Sequence, residues 1–185
     1  MAYSFFRLES YIPEGCYQKV GDINFQALYA KGKRLLIIDI DNTLIPYDLS
    51  EPTPEIITLI KGIQAIGFKV VFMSNNHQDR VAHFSNLLDC FYVASARKPL
   101  HYGYRKVMTH YKEIPISAIH AIGDQLMTDV LGANQMGISC SLVKVLKRKS
   151  EKWFTKINRR LEHAVLKQMA KDYPLIYQQI LSIQE

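Results

Sequence analysis

The chain reads as an α/β protein, a parallel sheet with helices on both faces. Two observations predict this. Apolar, strand-like runs alternate with helical patterns at roughly 30-residue intervals, the spacing of βαβ units. Polar or charged residues (Asp39 and Asp41, Ser74, Lys98, Asp124) stand just after those runs. In open α/β sheets the carboxyl ends of the strands border the crevice where ligands bind.

The elements follow in order. "RLLIIDI" is a buried strand, followed by a polar, Pro-containing loop to Glu51. "TPEIITLIKGIQAIG" carries a helix start, with Thr53 as cap, Pro54 at the first position and Glu55 in the first turn, and a stop at Gly67. "FKVVFMSNN" is a second apolar run ending in small polar residues. In "HQDRVAHFSNLL" helical spacing puts Val81, Phe84, Leu87 and Leu88 on one side. "FYVASARKP" is a short strand ending near Lys98, and "LHYGYRKVMTHY" is a helix. "ISAIHAIGD" is a third apolar run ending in an aspartate. "TDVLGANQMG" is a short helix closed by Gly137, and "ISCSLV" is the last strand.

With 185 residues, 48% hydrophobic and 22% charged, a single folded domain over 1–185 is expected. Its core spans about 33–143, and a basic segment about 144–185 follows. No run approaches about 18 uninterrupted apolar residues, so no transmembrane helix is expected. "MAYSFFRLESYIPEG" lacks the basic start and apolar stretch of a secretory leader. Cys16, Cys90 and Cys140 are odd in number and widely spaced, which suits small buried thiols in a reducing, cytoplasmic setting.

Asp39 and Asp41 stand two apart at a strand end, so alternation can turn both carboxylates one way while Ile40 faces the protein. Such a pair suits a divalent cation, or nucleophile-plus-acid work, and also suits a capped, solvated loop. "GDQLMTDVLGAN" adds Asp124 after a strand and Asp129 in the first turn of a helix, making a hard-cation site of the Mg²⁺ type plausible. Ser74 and Asn75 offer a hydroxyl and backbone donors to phosphate oxygens, and Lys98 a compact positive charge. Five of the six histidines, His77, His83, His101, His110 and His120, show no transition-metal spacing; His77 is the one that could line the crevice.

In this order, Asp39-Ile40-Asp41-Asn42-Thr43, Ser74 in "SNN", Lys98 in "ARKP" and Gly123-Asp124 through Asp129 resemble the haloacid dehalogenase superfamily of phosphatases over roughly 33–143. "DNTL", "SNN", "ARKP", "GDQLMTDVLGAN" and, in the tail, "FTKINRRLE" look like its YqeG-type subclass, which includes phosphatidylglycerophosphate phosphatases. One departure is Gln135, where an Arg often follows the Asn of the "GAN" motif. The resemblance implies a Rossmann-like core and an aspartyl-phosphate mechanism. Asp39 would be the nucleophile and Asp41 the acid and base. Mg²⁺ would be held by Asp39, Asp124 and the main-chain carbonyl of Asp41, with Asp129 and Thr43 behind them. Ser74, the Asn75 backbone and Lys98 would hold the phosphoryl oxygens.

Asp39 to Ser74 is 35 residues and Ser74 to Lys98 is 24, both filled by the expected elements. No room is left for an inserted cap domain. A capless, open crevice suits a phosphate on something large: a lipid headgroup, a protein or a nucleic-acid end. Ten of the 23 Lys/Arg but two of the 17 Asp/Glu lie between Lys144 and Lys171. From Ser150 onward an amphipathic helix is expected. One face carries Trp153, Phe154, Ile157, Leu161, Ala164 and Val165; the other carries Lys152, Lys156, Arg159, Arg160, His163 and Lys167. The basic face can be solvated, or can dock a peripheral protein on an anionic membrane. Nucleic acid is the weaker partner, since no aromatics interleave with the charges. Phosphatidylglycerophosphate is the leading substrate, and a non-catalytic adaptor docking through the basic helix is the alternative of a different class.

Overall fold

The computed structural model of the protein describes residues 7–147 and 153–184, with side chains outside 153–160. Six strands form one parallel sheet: β1 (Gly15–Tyr17), β2 (Leu35–Ile38), β3 (Lys69–Met73), β4 (Phe91–Val93), β5 (Ile119–Gly123) and β6 (Ser139–Val143), in the order β1-β6-β5-β2-β3-β4. Among the described residues seven α-helices accompany them: α1 (Phe25–Ala30), α2 (Pro54–Ile66), α3 (Gln78–Asn86), α4 (Tyr102–His110), α5 (Leu131–Gln135), α6 (Trp153–Asp172) and α7 (Pro174–Gln184). A π-helical turn, Leu126–Val130, leads directly into α5.

Strand alternation divides the core into two layers. Leu35, Ile37, Val71, Met73, Ile119 and Ala121 face one side, where Tyr104 and Val107 of α4 and Leu131 of α5 pack with Leu166, Met169, Ile180 and Ile183 of the last two helices. Leu36, Ile38, Val70, Phe72 and Ile122 face the other side, against Phe25, Ile60, Ile63, Val81 and Phe84 of α1–α3. The packed interior therefore draws on both ends of the chain as well as on 33–143. Helix α2 obeys its signals: Thr53 Oγ1 accepts from Ile56 N, Pro54 opens the helix, and Gly67 closes it at φ 114°.

Several expectations change. β1 was not read from the sequence; three residues suffice because they pair along β6. β4 ends at Val93, and Lys98 lies five residues on. Ser95 and Arg97 take left-handed conformations, at φ 46° and 58°, while Ser95 N and Ala96 N bond to Asn76 O and Ser74 O. The chain thus folds over the end of β3 instead of extending. The loop after Asp41 is not wholly polar: Leu44 and Ile45 are buried, and Thr43, Leu44 and Ile45 all donate their N–H to Ile40 O. Leu87 is exposed, unlike Val81, Phe84 and Leu88.

The tail forms two helices, and α6 turns a different face inward from the one expected. Leu161 is 49% exposed and Ala164 is exposed, whereas Glu162, Leu166 and Met169 are buried. The sheet side selects the stripe that meets α7 and the π-turn. Lys152 and the side chains of 153–160, including Trp153, Phe154, Ile157, Lys156, Arg159 and Arg160, lie outside the described residues; His163 and Lys167 are exposed. No described helix is long and apolar enough to cross a membrane.

Candidate active site

The site forms where the sheet changes winding direction. β2 is central, flanked by β3 and β5 with Ile38 level with both Phe72 and Ile122. Asp39 leaves β2, Ser74 leaves β3 and Asp124 leaves β5, so three strand ends converge at the switch point. Asp39 N still donates to Ile122 O at 2.9 Å, which keeps the first aspartate anchored to the sheet. Asn42 then adopts φ 65°, a conformation that Asn tolerates better than most residues, and its N–H bonds Ile45 O to close the loop.

Asp39, Asp124 and Asp129 each bring a carboxylate oxygen within 4.8 Å of the others, and all three are buried. Lys98 enters the cluster from the opposite loop. Its Nζ donates to Asp39 Oδ1 and to Asp129 Oδ1, both at 2.6 Å. Thr43 Oγ1 lies between Asp39 Oδ2 and Asp124 Oδ1, at 3.4 and 3.3 Å. Asp129 is brought this close by its π-turn: Oδ2 accepts from Gln125 N and Thr128 Oγ1. Gly123 allows the approach, since a Cβ there would meet the Asp129 carboxylate.

Burial sets the electrostatics. It pushes the Asp39 carboxyl well above its ordinary range; Lys98 opposes the shift, and Asp129, Asp124 and Asp41 add to it. Burial alone would lower the Lys98 ammonium, but Asp129 and Asp39 outweigh it and hold the lysine above its usual value. Three carboxylates against one ammonium leave an excess negative charge in a buried place. A hard dication with oxygen ligands offsets that excess, and the donor set fits one. Asp39, Asp124 and Asp129 are the carboxylates that would hold it.

The Asp41 carboxylate belongs to a second network. Its Oδ2 accepts from Ser74 Oγ at 3.1 Å and Asn76 Nδ2 at 3.2 Å. Its Oδ1 accepts from Arg80 Nε and Nη2 at 2.9 and 2.6 Å. The Asn75 side chain serves Lys98: Oδ1 accepts from Lys98 N and Nδ2 donates to Lys98 O, at 2.7 and 3.0 Å. Asn75 thereby fixes the loop that aims the lysine. His77 is exposed at the start of α3.

The sequence reading missed three side chains. Asn76 stood inside the quoted "SNN" but was passed over for its neighbour. Arg80 carries no motif, and its position six residues after Ser74 gains meaning only when α3 turns it back toward Asp41. Glu162, buried on α6, accepts from Leu126 N at 2.7 Å and so caps the turn that carries Asp129. Nothing in a basic helix marks one Glu for that task.

Residues 13–137 match the family model described as haloacid dehalogenase-like hydrolase. A curated relative, "Probable phosphatase YqeG" of Bacillus subtilis, is 32% identical over 156 residues, covering 84% of this chain and 90% of that protein. Among solved structures, an uncharacterized protein from Listeria monocytogenes shares the fold at TM-score 0.50 and 16% identity, over 64% of this chain and 85% of the other. The cobalt-bound deoxy-D-mannose-octulosonate 8-phosphate phosphatase of Haemophilus influenzae aligns at TM-score 0.49 and 12% identity, over 80% and 98% of the two chains. With aspartates, serine and lysine gathered at the carboxyl edge of the sheet and more than half of its length matched, the chain belongs to the haloacid dehalogenase-like hydrolase family.

Proposed function

We propose that the protein is a Mg²⁺-dependent phosphatase that hydrolyses phosphomonoesters through an aspartyl-phosphate on Asp39. The observation that carries this reading is the division of labour between the two aspartates. Asp39 sits among the buried carboxylates with Lys98, and Asp41, two residues on, is held apart by its own donors. That separation supports reading Asp39 as the nucleophile and Asp41 as the group for proton transfer. The relative's description as a probable phosphatase agrees.

An Asp39 oxygen attacks phosphorus, and the bond from phosphorus to the ester oxygen breaks. Asp41 gives its proton to that departing oxygen. Water then attacks the phosphorus of the aspartyl-phosphate, Asp41 takes a proton from it, and Asp39 is released with inorganic phosphate. Lys98 holds phosphoryl oxygens where negative charge grows, with the Asn75 backbone N–H as a further donor; the Ser74 hydroxyl, whose one proton goes to Asp41 Oδ2 here, would have to turn to serve a phosphoryl oxygen. A divalent cation, for which Asp39, Asp124 and Asp129 offer carboxylates and Asp41 its main-chain carbonyl, would screen nucleophile from substrate. Thr43 keeps Asp39 and Asp124 in register.

Between Asp39 and Ser74 the chain forms α2 and β3, and between Ser74 and Lys98 it forms α3 and β4, with no inserted domain. Such an open crevice accepts a phosphate on a large or surface-bound molecule. The YqeG-type resemblance makes phosphatidylglycerophosphate the substrate of choice, and the exposed Lys167 and Lys171 of α6 would add about 1 kcal/mol each at an anionic surface.

Phosphate release is measured from phosphatidylglycerophosphate in anionic vesicles and from soluble esters, at low and high salt, with and without Mg²⁺. The lipid is expected to react faster, and salt to slow it. Equal, salt-indifferent rates on all esters would remove the membrane reading. Asp39→Asn is expected to stay folded and lose turnover; near wild-type turnover would overturn the assignment of Asp39.

A further inference from the structure

We propose that Arg80 is a positioning residue for Asp41, and that it governs how well the protein cleaves esters whose leaving group needs a proton. The inference rests on the phosphatase reading above. Arg80 lies in the first turn of α3, outside every motif the sequence displays. Its Nε and Nη2 both donate to Asp41 Oδ1, at 2.9 and 2.6 Å. Nη2 also donates to Leu49 O at 2.6 Å, and the guanidinium carbon lies 5.0 Å from the centre of the Tyr47 ring. The side chains of the ion pair are 13% and 14% exposed, so solvent screens the contact far less than it would a surface pair.

This geometry restrains Asp41 from two sides. Ser74 and Asn76, at the end of β3, hold Oδ2; Arg80, from α3, holds Oδ1. Two N–H groups on one rigid plane fix a carboxylate's direction as well as its distance, which one rotatable ammonium does not. Tyr47 and Leu49 belong to the loop that follows the Asp39–Thr43 segment, so the same guanidinium keeps that loop against α3. A group that hands a proton to a departing oxygen must lie within hydrogen-bond reach of it. A displacement on the order of 1 Å can cost about 10²-fold in rate.

The test compares kcat/KM for an alkyl ester, β-glycerophosphate, with that for p-nitrophenyl phosphate, in the wild type, Arg80→Gln and Arg80→Lys. p-Nitrophenolate departs without a proton, whereas an alkoxide does not. The ratio kcat/KM ends at leaving-group departure, so the later hydrolysis of the aspartyl-phosphate, common to both esters, does not enter. Arg80→Gln is expected to shift the ratio against the alkyl ester by about tenfold or more, a part of the roughly 10²–10⁴ that proton transfer supplies. Arg80→Lys should shift it the same way, because its charge remains but the fork is gone. Thermal melts establish that each variant is folded, and if Arg80→Gln is not, Arg80→Lys carries the comparison. Equal losses on the two esters would overturn the proposal and leave Arg80 as a pin for the loop alone. A wild type that hydrolyses neither ester with Mg²⁺ would instead overturn the phosphatase reading beneath it.

Discussion

His120 should make the stability of this protein fall in mild acid, through a group far from the chemistry. It is the second residue of β5 and has no solvent exposure. Nδ1 lies 2.7 Å from Ser139 Oγ and Nε2 2.8 Å from Ser141 Oγ, both on β6. Burial pushes the imidazole down from 6.5 to about 4, against the pull of Glu14, whose carboxylate is 3.6 Å away. The native state therefore keeps the ring neutral to about pH 4, while the unfolded chain protonates it near 6.5. Between those values the unfolded state binds more protons, so stability is fully present above pH 6.5 and drains as pH falls toward 4. At about 1.4 kcal/mol per pH unit, the whole window is worth about 3 kcal/mol. Denaturant unfolding of wild type and His120→Gln from pH 7 to 4.5 measures it. Gln can bond both serines but cannot take a proton, so the wild type should lose up to about 2–3 kcal/mol more than the variant over that range. Parallel stability curves, or a His120 imidazole resonance titrating near pH 6.5 in the folded protein, would refute the reasoning.

Other perturbations act at the site. Lys98→Met removes the ammonium that bonds both Asp39 and Asp129, and should destabilise the metal-free protein by about 3–5 kcal/mol in thermal or denaturant unfolding, with Mg²⁺ recovering part of the loss. Gly123→Ala places a methyl 2.5 Å from Asp129 Oδ2, so the acidic cluster must open; divalent-cation affinity by calorimetry should fall well before the fold does. Glu162→Ala leaves Leu126 N without this acceptor and should cost about 1–3 kcal/mol while weakening cation binding through the Asp129 turn, both read from melts with and without Mg²⁺.

Much of this was legible because the relevant rules are local. The Thr53 cap, Pro54 and Gly67 read correctly because a helix end depends on a few adjacent residues. The runs of β2, β3 and β5 declared themselves because strands buried on both faces are mostly apolar, His120 being the buried polar exception. β1 had no such signature: "GCY" is a strand only because β6 offers its edge. Lys98 was expected at a strand end, but two left-handed residues deliver it, and no local pattern in "ASARK" announces them.

Chemistry-bearing residue types at βαβ spacing were enough to indicate the α/β architecture and the order in which Asp39, Ser74, Lys98 and Asp124 reach one crevice. Both follow from periodicity and from the way parallel strands point their carboxyl ends together. Which donor serves which carboxylate was beyond that reach. Asn75 turns to the Lys98 backbone, Asn76 and Arg80 turn to Asp41, and Glu162 reaches from the C-terminal helix to Leu126. These pairings join residues 23 to 39 positions apart. They exist only once the sheet, α3 and α6 have packed, because a hydrogen bond needs its partners within about 3 Å and packing alone brings them there.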